Sequence, residues 1–219
     1  MVDGDRRRAV VFDFGGVLIT TIANQIGNVA ADLGVQPDVL HRVLLGPRGS
    51  TPDHPWHRAE RGDLAVASIQ AGLDPWAEQA GIELRGDEID RLLAPGEYTI
   101  VEPMVRRVEA LRSAGVRTGL LTNTFAEFRT TMQRDLDFSL FDAVIESFAV
   151  GARKPEPAIY AATAAALGVA HSDIVYLDDF DQNLEPALTL GWTTVLVTDP
   201  NDALAELDEV LGRGARTAT

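Results

Sequence analysis

The sequence predicts an α/β protein: a Rossmann-like, doubly wound parallel sheet with a small helical insertion after its first strand. Three observations carry that prediction. Five short apolar runs, at residues 9–12, 116–121, 143–145, 173–177 and 193–197, have the length and composition of buried strands. Helix-like stretches closed by glycine fill the intervals around the later runs, the alternation of a parallel sheet. Between the first two runs lie about a hundred residues with no clear strand, far more than the roughly ten to twelve a crossover needs.

Taken in order, the run 9–12 (Ala-Val-Val-Phe) reads as a central strand, and Asp13 stands where it breaks into a turn containing Gly15 and Gly16. Glycines there allow torsions closed to other residues and let a ligand approach the backbone. From about Thr21 to Gly96 the pattern is helical. Ile22, Ile26, Val29, Ala30 and Leu33 recur at helical spacing, as do Leu64, Val66, Ala67 and Ile69, with Gly and Pro dividing the segments. The expected division is therefore a core of residues 1–20 and 97–219 and a helical unit of residues 21–96 above the C-terminal end of the first strand. Helices are then expected at 104–114, 157–167, 184–190 and 203–211, with Gly115, Gly168, Gly191 and Gly212 as their C-terminal caps. Residues 212–219 are expected to fray.

With 219 residues and 46% hydrophobic content the chain can bury a full core. It has no cysteine, which removes disulfides, thiolate metal sites and cysteine nucleophiles. A formal charge of −14 repels polyphosphate backbones, and the one basic run, Arg6 to Arg8, reads as a solvated tail, so nucleic acid is not an expected partner. The apolar runs are too short to span a bilayer and the first residues lack the apolar stretch of a signal peptide, which predicts a cytoplasmic protein without membrane contact; its oligomeric state is left open between monomer and homodimer. Small-molecule chemistry is expected, and a metal cation would reconcile an acidic site with an anionic substrate.

In an open parallel sheet, ligands bind at the carboxyl ends of the strands. The first strand ends in Asp13, the second in Thr122-Asn123 and the fourth in Asp178-Asp179, while Arg153-Lys154-Pro155 follows the third. Each has an ordinary structural reading when alone: Thr122 or Asn123 as a helix N-cap, the aspartates as helix-dipole partners, Lys154 as a surface charge beside Pro155 at a helix start. Together they set a nucleophilic carboxylate, a hydroxyl, an ammonium and a carboxylate pair at successive strand ends.

On those residues, with the strings Phe12-Asp13-Phe14-Gly15-Gly16-Val17 and Leu177-Asp178-Asp179-Phe180-Asp181-Gln182-Asn183, the chain resembles the haloacid dehalogenase superfamily over roughly residues 8 to 200. Its subgroup of sugar-phosphate phosphatases and epoxide hydrolase N-terminal domains is the most similar, and the helical insertion matches that family's cap. The resemblance implies that Asp13 attacks phosphorus to give an aspartyl-phosphate. It further implies Mg²⁺ held by Asp13, the Gly15 backbone carbonyl and Asp179, with Asp178 and Asn183 completing the metal site. Thr122, the amide of Asn123, Gly16 and Lys154 would contact a phosphorylated small molecule.

One position departs from the family pattern. Most phosphatases of this superfamily place a general acid/base aspartate two residues after the nucleophile, where this chain has Gly15. Such assistance is worth about 10² to 10⁴ in rate, so an activated substrate is expected, an anomeric sugar phosphate or an acyl phosphate. A replacement acid from the cluster His54, His57 and Glu60 is the alternative, although histidines in such a turn read as packing groups. Two rival functions follow: a metal-free halide-displacing hydrolase, which also lacks the second aspartate, and a phosphate-binding module without turnover.

Overall fold

The computed structural model describes residues 9–47, 49, 53–94 and 98–216. Arg6 to Arg8, the expected boundary at 96/97 and the last three residues lie outside them. Five parallel strands, β1 (Ala9–Phe12), β2 (Arg117–Thr122), β3 (Ala143–Glu146), β4 (Ile174–Asp178) and β5 (Thr193–Leu196), form one sheet in the order β3-β2-β1-β4-β5. The chain winds outward from β1 to β2 and β3 on one side, then returns to place β4 and β5 on the other. The point of reversal lies at the ends of β1, β2 and β4, where such sheets bind ligands.

β2, β3 and β4 each run one residue past the expected apolar stretch, into Thr122, Glu146 and Asp178. Apolar runs follow side-chain burial, whereas the ladder follows backbone pairing. Thr122 still pairs with Glu146, and Asp178 with Leu196.

Eleven α-helices are formed among the described residues. Five lie between β1 and β2: α1 (Ala23–Leu33), α2 (Pro37–Leu44), α3 (Pro55–Glu60), α4 (Asp74–Ala80) and α5 (Glu88–Leu92). The others are α6 (Glu102–Ser113), α7 (Arg129–Asp135), α8 (Ser147–Val150), α9 (Pro157–Leu167), α10 (Asp181–Thr189) and α11 (Pro200–Arg216). Alternate strand residues face opposite sides. Val10, Phe12, Leu120 and Val195 pack with Met104 and Val108 of α6 and Leu207 of α11, while Val11, Leu121 and Tyr176 pack with Ile159 of α9 and Ala187 of α10. That two-sided covering is why the strands read as unbroken apolar runs rather than alternating ones.

Gly115, Gly168 and Gly191 close their helices with positive φ. Gly212 does not, because α11 continues through it to Arg216. Glycine permits a left-handed cap without compelling one. Its cost inside a helix, about 1 kcal/mol, does not end a helix that no proline follows.

Helices α1 to α5 share an apolar cluster that includes Ile26, Val29, Leu40, Leu44, Trp56, Ile69 and Leu73, joined by Phe125 from the loop after β2. The chain segments entering and leaving this helical unit run side by side. Thr20 donates to the Thr99 carbonyl at 2.9 Å, Val101 to that of Leu18 at 2.9 Å, and Ile19 bridges Ile100. No helix among the described residues is long and apolar enough to cross a membrane.

Candidate active site at the strand ends

The four sequence segments converge at the sheet's reversal point. Asp13 continues the β1 ladder by donating its N–H to the Leu177 carbonyl at 2.9 Å, which fixes its backbone against β4. Its carboxylate oxygen Oδ1 accepts from the Phe14 N–H and from the Lys154 ammonium, both at 2.7 Å. Lys154 is 1% exposed and bonds Asp178 Oδ2 at 2.7 Å as well, so it is a buried bridge between two carboxylates rather than a surface charge. Nor does Pro155 start the following helix. Pro157 opens α9, and the Lys154–Pro155 bond is cis.

Asn123 has a role that the sequence did not show. Its side chain accepts from the Lys154 N–H at 2.8 Å and donates to the Lys154 carbonyl at 3.1 Å, clamping the backbone that carries the ammonium. No helix starts at Thr122 or Asn123. Thr122 is buried at the end of β2, where its hydroxyl makes a long contact of 3.4 Å to the Asn123 carbonyl, and it lines the same cavity as Asp13.

Asp178 is fully buried and held by many donors: Lys154, the Tyr176 hydroxyl, the Phe180 N–H at 2.8 Å, and the Asn183 amide at 3.0 and 3.2 Å to its two oxygens. Asp179 differs. Its Oδ1 is buried with no hydrogen-bond partner. Gly16, at φ +75°, lets the carboxylate lie against the turn after β1; a Cβ there would sit 2.1 Å from Asp179 Oδ2. At Gly15, which lines the cavity, a Cβ would meet nothing within 4 Å.

Oxygen atoms of Asp13, Asp178 and Asp179 lie within 4.8 Å of one another. Three carboxylates and one ammonium leave the ionised cluster with two negative charges. Burial raises the Asp13 carboxyl well above the usual range, and Asp178 and Asp179 add to that effect against the pull of Lys154. Burial, with Asp178 beside it, pushes Asp179 up to about 7. For Lys154 burial acts downward, but Asp13 and Asp178 outweigh it and hold the ammonium above its ordinary range. An unpartnered carboxylate oxygen, an all-oxygen donor set and a twofold negative charge fit a hard divalent cation such as Mg²⁺.

A cavity of about 320 Å³ opens above these groups, walled by the helical unit. There, Glu60 accepts from Trp56 Nε1 at 2.9 Å and pairs with the Arg153 Nε. Arg153 also donates to the Gly49 carbonyl at 3.2 Å, and Glu156 joins the Arg153 N–H to Arg61. This tether between α3 and the Lys154 loop carries no sequence signal, because its members lie 93 residues apart. His54 is buried as the N-cap of α3, accepting from the Trp56 N–H and contacting the Val43 carbonyl at 3.1 Å, and burial lowers its pKa to about 4. His57 is buried in the cavity wall.

The family model for haloacid dehalogenase-like hydrolases matches residues 7–191. Bifunctional epoxide hydrolase 2 of Rattus norvegicus is 37% identical over 221 residues, covering 94% of this chain and 39% of its own length. The chain thus spans well under half of that relative. A HAD family enzyme from Bacteroides thetaiotaomicron, solved in complex with magnesium and inorganic phosphate, shares the fold at a TM-score of 0.61 and 19% identity, covering 87% of this chain and 93% of that one. An L-2-haloacid dehalogenase from Xanthobacter autotrophicus, solved with chloropropionic acid covalently bound, does so at 0.61 and 20%, covering 91% and 81%.

Proposed function

The chain belongs to the haloacid dehalogenase-like hydrolases, and on that premise we propose that it is a magnesium-dependent phosphatase of a small phosphorylated metabolite with an activated leaving group. The observation that carries this reading is the carboxylate cluster around Lys154, with its unpartnered Asp179 oxygen. Magnesium is also present in the solved relative that holds inorganic phosphate.

Asp13 is the nucleophile, and its attack on phosphorus divides one hard displacement into two easier ones. Lys154 orients the Asp13 oxygen and sets a positive charge beside the incoming phosphoryl group, while Asn123 fixes the loop that delivers it. The Thr122 hydroxyl and the Asn123 N–H donate to phosphoryl oxygens, and Gly16 permits close approach. Asp13, Asp179 and the Gly15 carbonyl would hold Mg²⁺, with Asp178 and Asn183 in support, and the ion would supply positive charge against the phosphoryl group. The helical unit acts as a cap that excludes water from the site.

With glycine at residue 15, no side chain there protonates the leaving group or activates water for the second step, so a leaving group of low basicity is required. The halide-displacing reading is weaker, since displacement of halide has no use for a cluster of three carboxylates of which one lysine offsets only a single charge. Phosphate release from acetyl phosphate and p-nitrophenyl phosphate, with Mg²⁺ or with chelator, tests the proposal. Metal-dependent release that Asp13→Asn lowers by roughly 10³-fold or more is expected. Release that survives the substitution, or metal-free chloride release from 2-chloropropionate, would overturn it.

A further inference from the structure

The cavity has two chemistries. Its floor is the polar cluster of Asp13, Lys154 and Asp179, and its walls are largely hydrocarbon, built from Ile22, Ile26, Leu45, Trp56, Phe125 and Phe128. Several of the polar wall side chains are engaged by the protein itself. The Tyr98 hydroxyl donates to Asp135, Glu60 accepts from Trp56 and Arg153, Arg153 reaches the Gly49 carbonyl, and the Asn123 amide holds the Lys154 backbone. A hydroxyl-rich body such as a sugar ring would give up its hydrogen bonds to water there and gain few in return. A hydrocarbon body gives up none and leaves water favourably.

The second observation is at Gly15. No side chain rises from it toward the leaving-group side, and the space a Cβ would take is open. An apolar body suits these walls, and residue 15 supplies no proton to the bond that breaks.

Resting on the phosphatase reading, we infer that the substrate is an acyl phosphate with an apolar acyl chain, its phosphoryl group on the carboxylate floor and its chain against the helical unit. In the first step an Asp13 oxygen attacks phosphorus and the bond from phosphorus to the acyl oxygen breaks. The electron pair leaves on a fatty carboxylate, which needs no proton. In the second step water attacks the same phosphorus and the bond to Asp13 breaks, returning its electron pair to the carboxylate. One proton of that water stays on the released phosphate and the other passes to solvent.

The test is a panel of acetyl, butanoyl, hexanoyl and octanoyl phosphate with octyl phosphate and glucose 1-phosphate, read as enzyme-dependent phosphate release with Mg²⁺. The expected kcat/KM rises roughly fourfold per methylene up the acyl series. Octanoyl phosphate should exceed octyl phosphate by about 10² or more, because only the ester needs a proton donor. Ile22→Asn should lower the octanoyl-to-acetyl ratio about tenfold. A ratio measured on one preparation is insensitive to the fraction folded.

Acetyl phosphate turnover with no chain-length dependence or a preference for glucose 1-phosphate would overturn the inference and leave the phosphatase reading standing, and equal rates on octyl and octanoyl phosphate would overturn the inference together with the requirement for an activated leaving group. No metal-dependent release from any of them would remove both.

Discussion

Two adjacent glycines after the first strand impose opposite constraints. Gly16 has φ +75° and would bring a Cβ to 2.1 Å from Asp179 Oδ2, so Gly16→Ala must distort the turn or displace the carboxylate. The left-handed torsion alone costs about 1–2 kcal/mol. The variant should melt lower by calorimetry and require more Mg²⁺ for half-saturation; an unchanged magnesium titration would show that Asp179 does not depend on this approach. Gly15 is unconstrained on both counts, since its φ is not left-handed and a Cβ there meets nothing within 4 Å. Gly15→Asp meets no steric clash, but its carboxylate joins an acidic cluster and should lower stability without Mg²⁺ and less so with it. It should raise turnover of alkyl phosphates by about 10² if the carboxyl reaches the leaving group, and it should shrink any burst of bound phosphate, because the second step gains a base. Stopped-flow phosphate detection reads both, and a folded variant with wild-type rates would deny that the missing aspartate limits this enzyme.

At the level of elements, the site depends on how β2 and the loop before α9 hold one another. Asn123 makes both of its bonds to the backbone of Lys154, so Asn123→Ala leaves a buried N–H and carbonyl without partners, at a cost of about 1–3 kcal/mol. The expected kinetic signature is a fall in kcat with little change in KM, since the ammonium is displaced from Asp13 while the apolar walls of the cavity are untouched; Asn123→Asp, which keeps the acceptor, should recover part of it. An effect on KM alone would contradict this.

Elements also show where the sequence was readable. Asp13, Thr122, Lys154 and the Asp178-Asp179 pair were legible because each terminates or follows an apolar run, and parallel strands bring such ends to one edge. The start of α9 at Pro157 was legible, but those of α10 and α11 were not. α10 begins at Asp181 and α11 at Pro200, before the first apolar residue of either, since a first turn can be polar and still helical. The Glu60–Arg153 tether joins residues 93 apart through side-chain geometry alone, which no periodicity encodes. Gly212 misled because a cap signal is a permission rather than an instruction.

For the molecule as a whole, the decisive quantity is the charge gathered at one sheet edge. A chain of formal charge −14 places three carboxylates within 4.8 Å around a single lysine, and burial with Asp178 beside it raises Asp179 to about 7. Without metal, the folded protein therefore binds a proton at Asp179 more tightly than the unfolded chain does. Between roughly pH 4 and pH 7 the folded state holds more protons, so this group contributes stability at low pH that is lost as pH rises through 7. A divalent cation has the opposite dependence, because it must displace that proton to bind. Its apparent affinity should climb by up to about tenfold per pH unit below 7 and level off above. Calorimetric melting at pH 5.5 and pH 8, with and without Mg²⁺, checks both signs at once. The increment from Mg²⁺ should be small at the lower pH and larger at the higher, and in Asp179→Asn, which loses one ligand and one of the protons to be displaced, the increment should be weaker and less steep with pH. An increment independent of pH in the unsubstituted protein would place the ion elsewhere than at Asp179.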